Sequence, residues 1–145
     1  MTTPAKILIV DDEENFAKST AYILEEEGHV CRCASNTDEG LAALALEEVD
    51  LVLADIRMPG NSDLEFFHQV RDQYPDVPLI PITGYPSLDT AVRCIRLKVS
   101  DYLVKPFEVD ALKECIKTCL AERCGTVPNG WRPASHGNND WGAQP

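Results

Sequence analysis

Short unbroken apolar runs alternate along the chain with longer stretches in which apolar residues recur every three or four positions. The first run, Ile7-Leu8-Ile9-Val10, ends in Asp11-Asp12-Glu13-Glu14. A continuous run, rather than an alternating one, predicts a strand covered on both faces. Phe16, Thr20, Ile23, Leu24 and Glu27 follow at helical spacing, and Gly28 stops that helix. His29 to Ala34 predicts a second strand at a sheet edge. Ser35-Asn36-Thr37 predicts an N-cap for a helix carrying Leu41, Leu44 and Ala45. Asp50 to Ala54 reads as a third strand that runs into Asp55, after which Pro59-Gly60-Asn61 forces a turn. Leu64, Phe67, Val70, Arg71 and Tyr74 mark a third helix, closed by Pro75. Leu79 to Ile82 is a fourth strand with the exit turn Thr83-Gly84-Tyr85-Pro86, and Ser87 caps a helix bearing Leu88, Ala91, Val92, Ile95 and Arg96. Asp101 to Val104 reads as a short fifth strand. Glu108 opens a last helix with the stripe Leu112, Ile116 and Leu120, Val109 at its edge.

Five strands alternating with five helices predict an α/β fold: a parallel sheet, helices on both faces, right-handed crossovers. A chain of 145 residues holds one such domain and is too short for two ordinary ones. From Gly125 onward Gly, Pro, Asn and Ser with isolated Trp131 and Trp141 replace the periodic pattern. Residues 1–124 therefore read as the domain and 125–145 as a polar linker or tail.

The formal net charge of -11 disfavours direct contact with nucleic-acid phosphates; it suits capture of a divalent cation or a basic partner, and equally a plain solvated, soluble surface. No apolar run reaches the length of a membrane span. Cys31, Cys33, Cys94, Cys115, Cys119 and Cys124 lack zinc-finger spacing and no signal peptide precedes them, which predicts reduced thiols in a soluble, cytoplasmic protein. Cys31 and Cys33 share one face of a strand, and Cys115 and Cys119 are one helical turn apart; both pairs read most simply as small apolar fillers or surface residues. His29, His68 and His136 stand in no metal-ligand spacing and read as surface or core-edge residues.

The C-terminal ends of parallel strands lie along one edge of the sheet, where open α/β folds bind ligands. Asp11 and Asp12, Asp55, Thr83 and Lys105 all sit at such ends, so distance in sequence collapses into one cluster. Three adjacent carboxylates repel one another, and a hard divalent cation with oxygen ligands resolves the repulsion. Mg²⁺ is the expected ion, with Asp12 and Asp55 as direct ligands, Asp11 assisting, and the backbone carbonyl of Arg57 as an additional ligand. Such a site suits phosphoryl transfer to Asp55, with Lys105 as a compact positive charge and Thr83 as a hydroxyl donor. The same arrangement can place a water to hydrolyse the acyl phosphate.

These blocks, Ile7-Leu8-Ile9-Val10-Asp11-Asp12-Glu13, Asp55-Ile56-Arg57-Met58-Pro59-Gly60, Ile82-Thr83-Gly84-Tyr85 and Asp101-Tyr102-Leu103-Val104-Lys105-Pro106-Phe107, closely resemble the receiver domains of bacterial two-component response regulators. The resemblance extends over residues 6 to about 122. It implies a flavodoxin-like (βα)₅ fold of strand order 2-1-3-4-5. It also implies transfer of phosphate from the phosphohistidine of a sensor histidine kinase, or of a histidine phosphotransfer protein, onto Asp55. Asp11 and Asp12 match the family's acidic pair, Thr83 its switch hydroxyl, Lys105 its lysine, and Tyr102 the aromatic that turns inward on activation. The surface of the fourth helix, fifth strand and fifth helix would carry the change to a partner or to a second receiver. The Lys105-Pro106 bond matches one that is usually cis in the family.

Three departures stand out: Pro81 inside the fourth strand, expected to shorten or distort it; Asn61-Ser62-Asp63 in place of the commoner Met-Asp-Gly; and Lys98-Val99-Ser100 before the fifth strand in place of Gly-Ala. A receiver-shaped docking module that ignores phosphate is the alternative function, but it has no physical need of the carboxylate cluster. A haloacid-dehalogenase-like phosphatase would call for an aspartate where Arg57 stands. No output domain is visible after the last helix, so a stand-alone receiver and a fragment of a larger regulator or hybrid kinase are both open; the polar tail, which looks like a severed linker, favours the fragment, and Gly84-Tyr85-Pro86-Ser87 is similar to receivers joined to ATPase-type activators.

Overall fold

The computed structural model describes residues 4–58, 61 and 64–123. Ten elements alternate in order: β1 (Lys6–Val10), α1 (Glu14–Glu26), β2 (Val30–Ala34), α2 (Thr37–Leu46), β3 (Leu51–Asp55), α3 (Glu65–Gln73), β4 (Leu79–Thr83), α4 (Leu88–Arg96), β5 (Leu103–Val104) and α5 (Val109–Arg123). The strands form one parallel sheet of order β2-β1-β3-β4-β5, the expected doubly wound (βα)₅ fold with β2 at an edge. The readings of the tail over 125–145, of Cys124 and His136, and of the Pro59-Gly60 and Ser62-Asp63 turn residues lie outside the described residues.

The continuous apolar runs are covered on both faces, as their pattern requires. Every residue of β3 and β4 is buried, and all of β1 beyond Lys6. Leu8, Val10, Val52, Ala54 and Leu79 face one core with Phe66, Phe67, Val70, Cys94 and Leu97. Ile7, Ile9, Leu51, Leu53, Ile80 and Ile82 face the other with Leu24, Leu112, Cys115, Ile116 and Cys119. The helix ends follow local chemistry: Asn36 and Ser87 accept the N–H of Glu39 and Thr90, and Gly28 takes a φ of 96° just past the C-cap of α1. Gly40 lets α2 approach the sheet, since a Cβ there would stand 3.1 Å from Val10 and 3.2 Å from Phe66.

Pro81 leaves β4 at its full five residues, contrary to the expected shortening or distortion. Ile82 turns its carbonyl to the β3 side, where it accepts the Ile56 N–H at 2.9 Å. Leu79 and Thr83 turn theirs the other way, accepting the N–H groups of Ser100 (2.9 Å) and Lys105 (2.8 Å). Pro81 has the same parity as Leu79 and Thr83, so the N–H it lacks belongs to the β5 side. The ladder between β4 and β5 begins only at Ile82 and Leu103. The shortening therefore falls on β5, which spans Leu103–Val104 rather than Asp101 to Val104 and leaves Tyr102 just outside it.

His29 is buried rather than at the surface: its Nδ1 accepts the Ala5 N–H at 3.1 Å, just ahead of β2. His68 is exposed. Among the described residues, no helix is long and apolar enough to cross a membrane.

Candidate functional site

The C-terminal edge of the sheet gathers the predicted side chains. Asp11 leaves β1 with its N–H bonded to the Ala34 carbonyl of β2 (3.0 Å), which fixes its carboxylate at the edge. Its Oδ1 accepts the Glu13 N–H at 2.9 Å, tying it to the start of α1. Asp55 is the last residue of β3, and its Oδ1 accepts the Arg57 N–H at 2.9 Å. Asp12 is exposed beside them. A carboxylate oxygen from each of Asp11, Asp12 and Asp55 lies within 4.8 Å of the other two.

Lys105, the residue directly after β5, reaches into this cluster. Its Nζ stands 3.0 Å from Asp11 Oδ2 and 3.1 Å from Asp55 Oδ2, with Glu13 Oε1 at 3.3 Å. The ammonium also lies 4.1 Å from the centroid of Phe16, which packs edge-on against Phe107 at 5.6 Å. The following peptide bond, Lys105-Pro106, is cis, as the resemblance implied.

Three carboxylates, Asp11, Glu13 and Asp55, thus face one ammonium, with Asp12 beside them. Burial pushes the Asp11 carboxyl above its ordinary value of 3.8; the Glu13 N–H and Lys105 act against this, and the charge of Asp55 adds to it. Burial draws the Lys105 ammonium down, but its bonds to Asp11 and Asp55 and their charges overcome that, leaving it raised. Hard oxygen donors at this spacing suit a small divalent cation.

Thr83 ends β4 and is buried, with its Oγ1 accepting the Tyr85 N–H at 2.9 Å. Tyr102 is half-buried against the core below α4, and its hydroxyl lies 3.4 Å from Thr90 Oγ1. The Arg57 guanidinium covers the Tyr85 ring at 4.6 Å.

Three supporting residues escaped sequence reasoning. Asn61 is buried; its Nδ2 donates to the Ile56 carbonyl (2.7 Å) and its Oδ1 accepts the Phe66 N–H (2.9 Å), so one side chain braces the loop behind Asp55. Arg71 donates to the carbonyls of Leu97 (3.0 Å), Pro75 (2.8 Å), Val77 (3.0 Å) and Lys98 (3.4 Å), holding the end of α4 to α3. Glu13 joins the lysine contacts. Only Glu13 had a signal, its place in the acidic run; Asn61 and Arg71 act on backbone atoms remote from them in sequence or hidden by the turn.

Residues 7–117 match the response regulator receiver domain family. The transcriptional regulatory protein GlrR of Escherichia coli (strain K12) is 33% identical over 131 residues, 90% of this chain and 30% of that protein. The response regulator TrrA of Thermotoga maritima, solved in complex with Mg(2+)-BeF, superposes with a TM-score of 0.71 at 35% identity, covering 79% of this chain and 98% of that one. A response regulator from Burkholderia pseudomallei, solved with a phosphorylated aspartic acid, calcium ion and citrate, gives a TM-score of 0.72 at 30% identity over 83% of this chain and 71% of its own. The chain spans 30% or less of the length of such curated relatives. With the family matched across nearly all of the described sheet and helices, and its acidic edge assembled, the chain belongs to the receiver domains of two-component response regulators, which are phosphoacceptor switches.

Proposed function

We propose that Asp55 is the phosphoacceptor, taking a phosphoryl group from the phosphohistidine of a sensor histidine kinase or a histidine phosphotransfer protein. An Asp55 carboxylate oxygen forms the new P–O bond as the donor's P–N bond breaks. The observation that carries this reading is the joint contact of Lys105 with Asp11 and Asp55 at 3.0 and 3.1 Å, beside the three clustered carboxylates. Asp11, Asp12 and Asp55, with the Arg57 carbonyl, would hold Mg²⁺. When bound, that ion supplies positive charge to the phosphoryl oxygens.

Lys105 exchanges its bond to Asp55 for one to a phosphoryl oxygen, and Thr83 gives up the Tyr85 N–H and donates its hydroxyl to the same group. Tyr102 then leaves Thr90 and turns inward. The face made of α4, β5 and α5 reports the change to a partner or to a second receiver; exposed Leu88, Val92, Ile95, Val104 and Val109 supply its apolar contacts. Hydrolysis of the acyl phosphate in the same site resets the switch. Residues 1–124 act as the cytoplasmic receiver, and 125–145 as the polar connection to an output domain of a longer regulator.

Incubation with Mg²⁺ and acetyl phosphate tests this. Intact mass is expected to show a single added phosphoryl group, absent with chelator and in Asp55→Asn. Wild type left unmodified while an active receiver is labelled in parallel contradicts the reading.

A further inference from the structure

Away from the acidic edge, Asp101, Cys115 and Cys119 place one carboxylate oxygen and two sulfurs within 4.8 Å of one another. Cys115 and Cys119 lie one turn apart on the same face of α5. They are 6% and 1% exposed, and neither is in a disulfide. Asp101, in the segment before β5, is half-buried. Glu122 occupies the same face of α5, three residues beyond Cys119, and is partly exposed.

The groups crowd one another. Cys115 is pushed up first by its hydrogen bond with Cys119, then by burial and by the charge of Asp101. Burial and the charge of Asp101 push the Glu122 carboxyl up to about 7. At the phosphoacceptor edge Lys105 balances such crowding; here the groups acting on Cys115 and Glu122 are thiols and carboxylates.

We propose that Asp101, Cys115 and Cys119 form a second cation site, one that takes a thiophilic divalent ion of the Zn²⁺ class. Two sulfurs and one carboxylate oxygen are a soft-to-borderline donor set that Zn²⁺ accepts and Mg²⁺ does not. Tetrahedral bonding with Zn–S near 2.3 Å sets two sulfurs about 3.8 Å apart, inside the spread found here. Each thiol releases its proton to solvent as its sulfur binds the metal. Glu122 or water completes the fourth position, and the partly exposed carboxylates give the ion its entry. Asp101 Oδ1 also accepts the Tyr102 N–H at 2.8 Å, so metal capture acts on the residue that leads into β5. The site lies apart from Asp55 and gives the α4–β5–α5 face a second input.

The test is titration of the reduced full chain with Co²⁺ in the presence of Mg²⁺. A single equivalent is expected to give thiolate-to-cobalt charge-transfer absorption with tetrahedral ligand-field bands, displaced by Zn²⁺. The signal is lost in the Cys115→Ala/Cys119→Ala double variant and retained in Cys31→Ser/Cys33→Ser and in Cys124→Ser. Asp101→Asn, at a half-exposed position that leaves the core intact, weakens binding by at least about tenfold. Absence of charge-transfer absorption in wild type overturns the proposal, as does a signal that follows Cys31, Cys33 or Cys124 instead. Should the double cysteine variant fail to fold, unchanged affinity in Asp101→Asn is enough to overturn it.

Discussion

The two ends of the β4–β5 half of the molecule are held in different ways. At the acidic edge, Asp11, Asp55 and Lys105 are locked by short contacts to one another, to Glu13 and to backbone N–H groups. The neighbouring α4 turns Leu88, Val92 and Ile95 outward, with Leu88 82% exposed, and only Cys94 of the helix is fully buried. It is tied down at its C-terminal end, where Leu97 is buried and Arg71 grips the carbonyls of Leu97 and Lys98. Beside it β5 contributes only two residues to the sheet. Under the proposed function, chemistry needs groups fixed in advance and transmission needs an element whose movement sacrifices few contacts, and the contrast between the two regions suits that division.

The largest effect is expected at the locked end. Lys105→Ala removes the ammonium shared by two buried carboxylates and should destabilise the metal-free domain by about 2–4 kcal/mol, with partial recovery on adding Mg²⁺. Denaturant unfolding in chelator and in Mg²⁺ reads both numbers, and a loss within error of zero would break the contrast. Arg71→Ala leaves carbonyls unpaired and should cost about 1–3 kcal/mol. Hydrogen exchange should then accelerate around Leu97 to Val99 and not around Asp11 or Asp55; uniform acceleration would mean the two regions are not separable.

A smaller effect follows from the raised pKa of Asp11. Burial favours its protonated form in the fold, so the metal-free domain loses stability as pH rises from the ordinary value of 3.8 through the higher native one, and the cost is then constant. Asp11→Asn removes this component. The variant's unfolding free energy relative to wild type, measured in chelator, should therefore shift in the variant's favour across that window. A relative stability that moves the other way would show that Asp11 is held as a favourable carboxylate. The smallest effect belongs to the outward face of α4: Leu88→Ser and Ile95→Ser should change stability by no more than about 0.5 kcal/mol. A loss several times larger would place those side chains in a packed interface within the domain.

Much of this organisation was legible in residues. Ile7 to Val10 and Leu51 to Ala54 announce buried strands because both faces are apolar, and the polar residue that ends each strand announces the site because parallel strands end together. The hidden parts depend on partners that spacing does not name. Helical periodicity places Leu88, Val92 and Ile95 on one stripe of α4, yet says nothing of whether a core covers it. Asn61 looks like a turn residue until its amide is seen bonded to Ile56 and Phe66. Pro81 marks a missing donor, but only the strand order and hydrogen-bond parity show that β5, not β4, is the strand that shortens.

Asp55 is the carboxylate proposed to carry the phosphoryl group. Borohydride reduction of the acyl phosphate after treatment with acetyl phosphate and Mg²⁺, followed by peptide mass mapping, names that residue directly. Homoserine at position 55 alone is the predicted result. Homoserine at position 11 or 12, 5-hydroxynorvaline at position 13, or no reduced residue while a receiver of known activity is trapped in parallel, would contradict it.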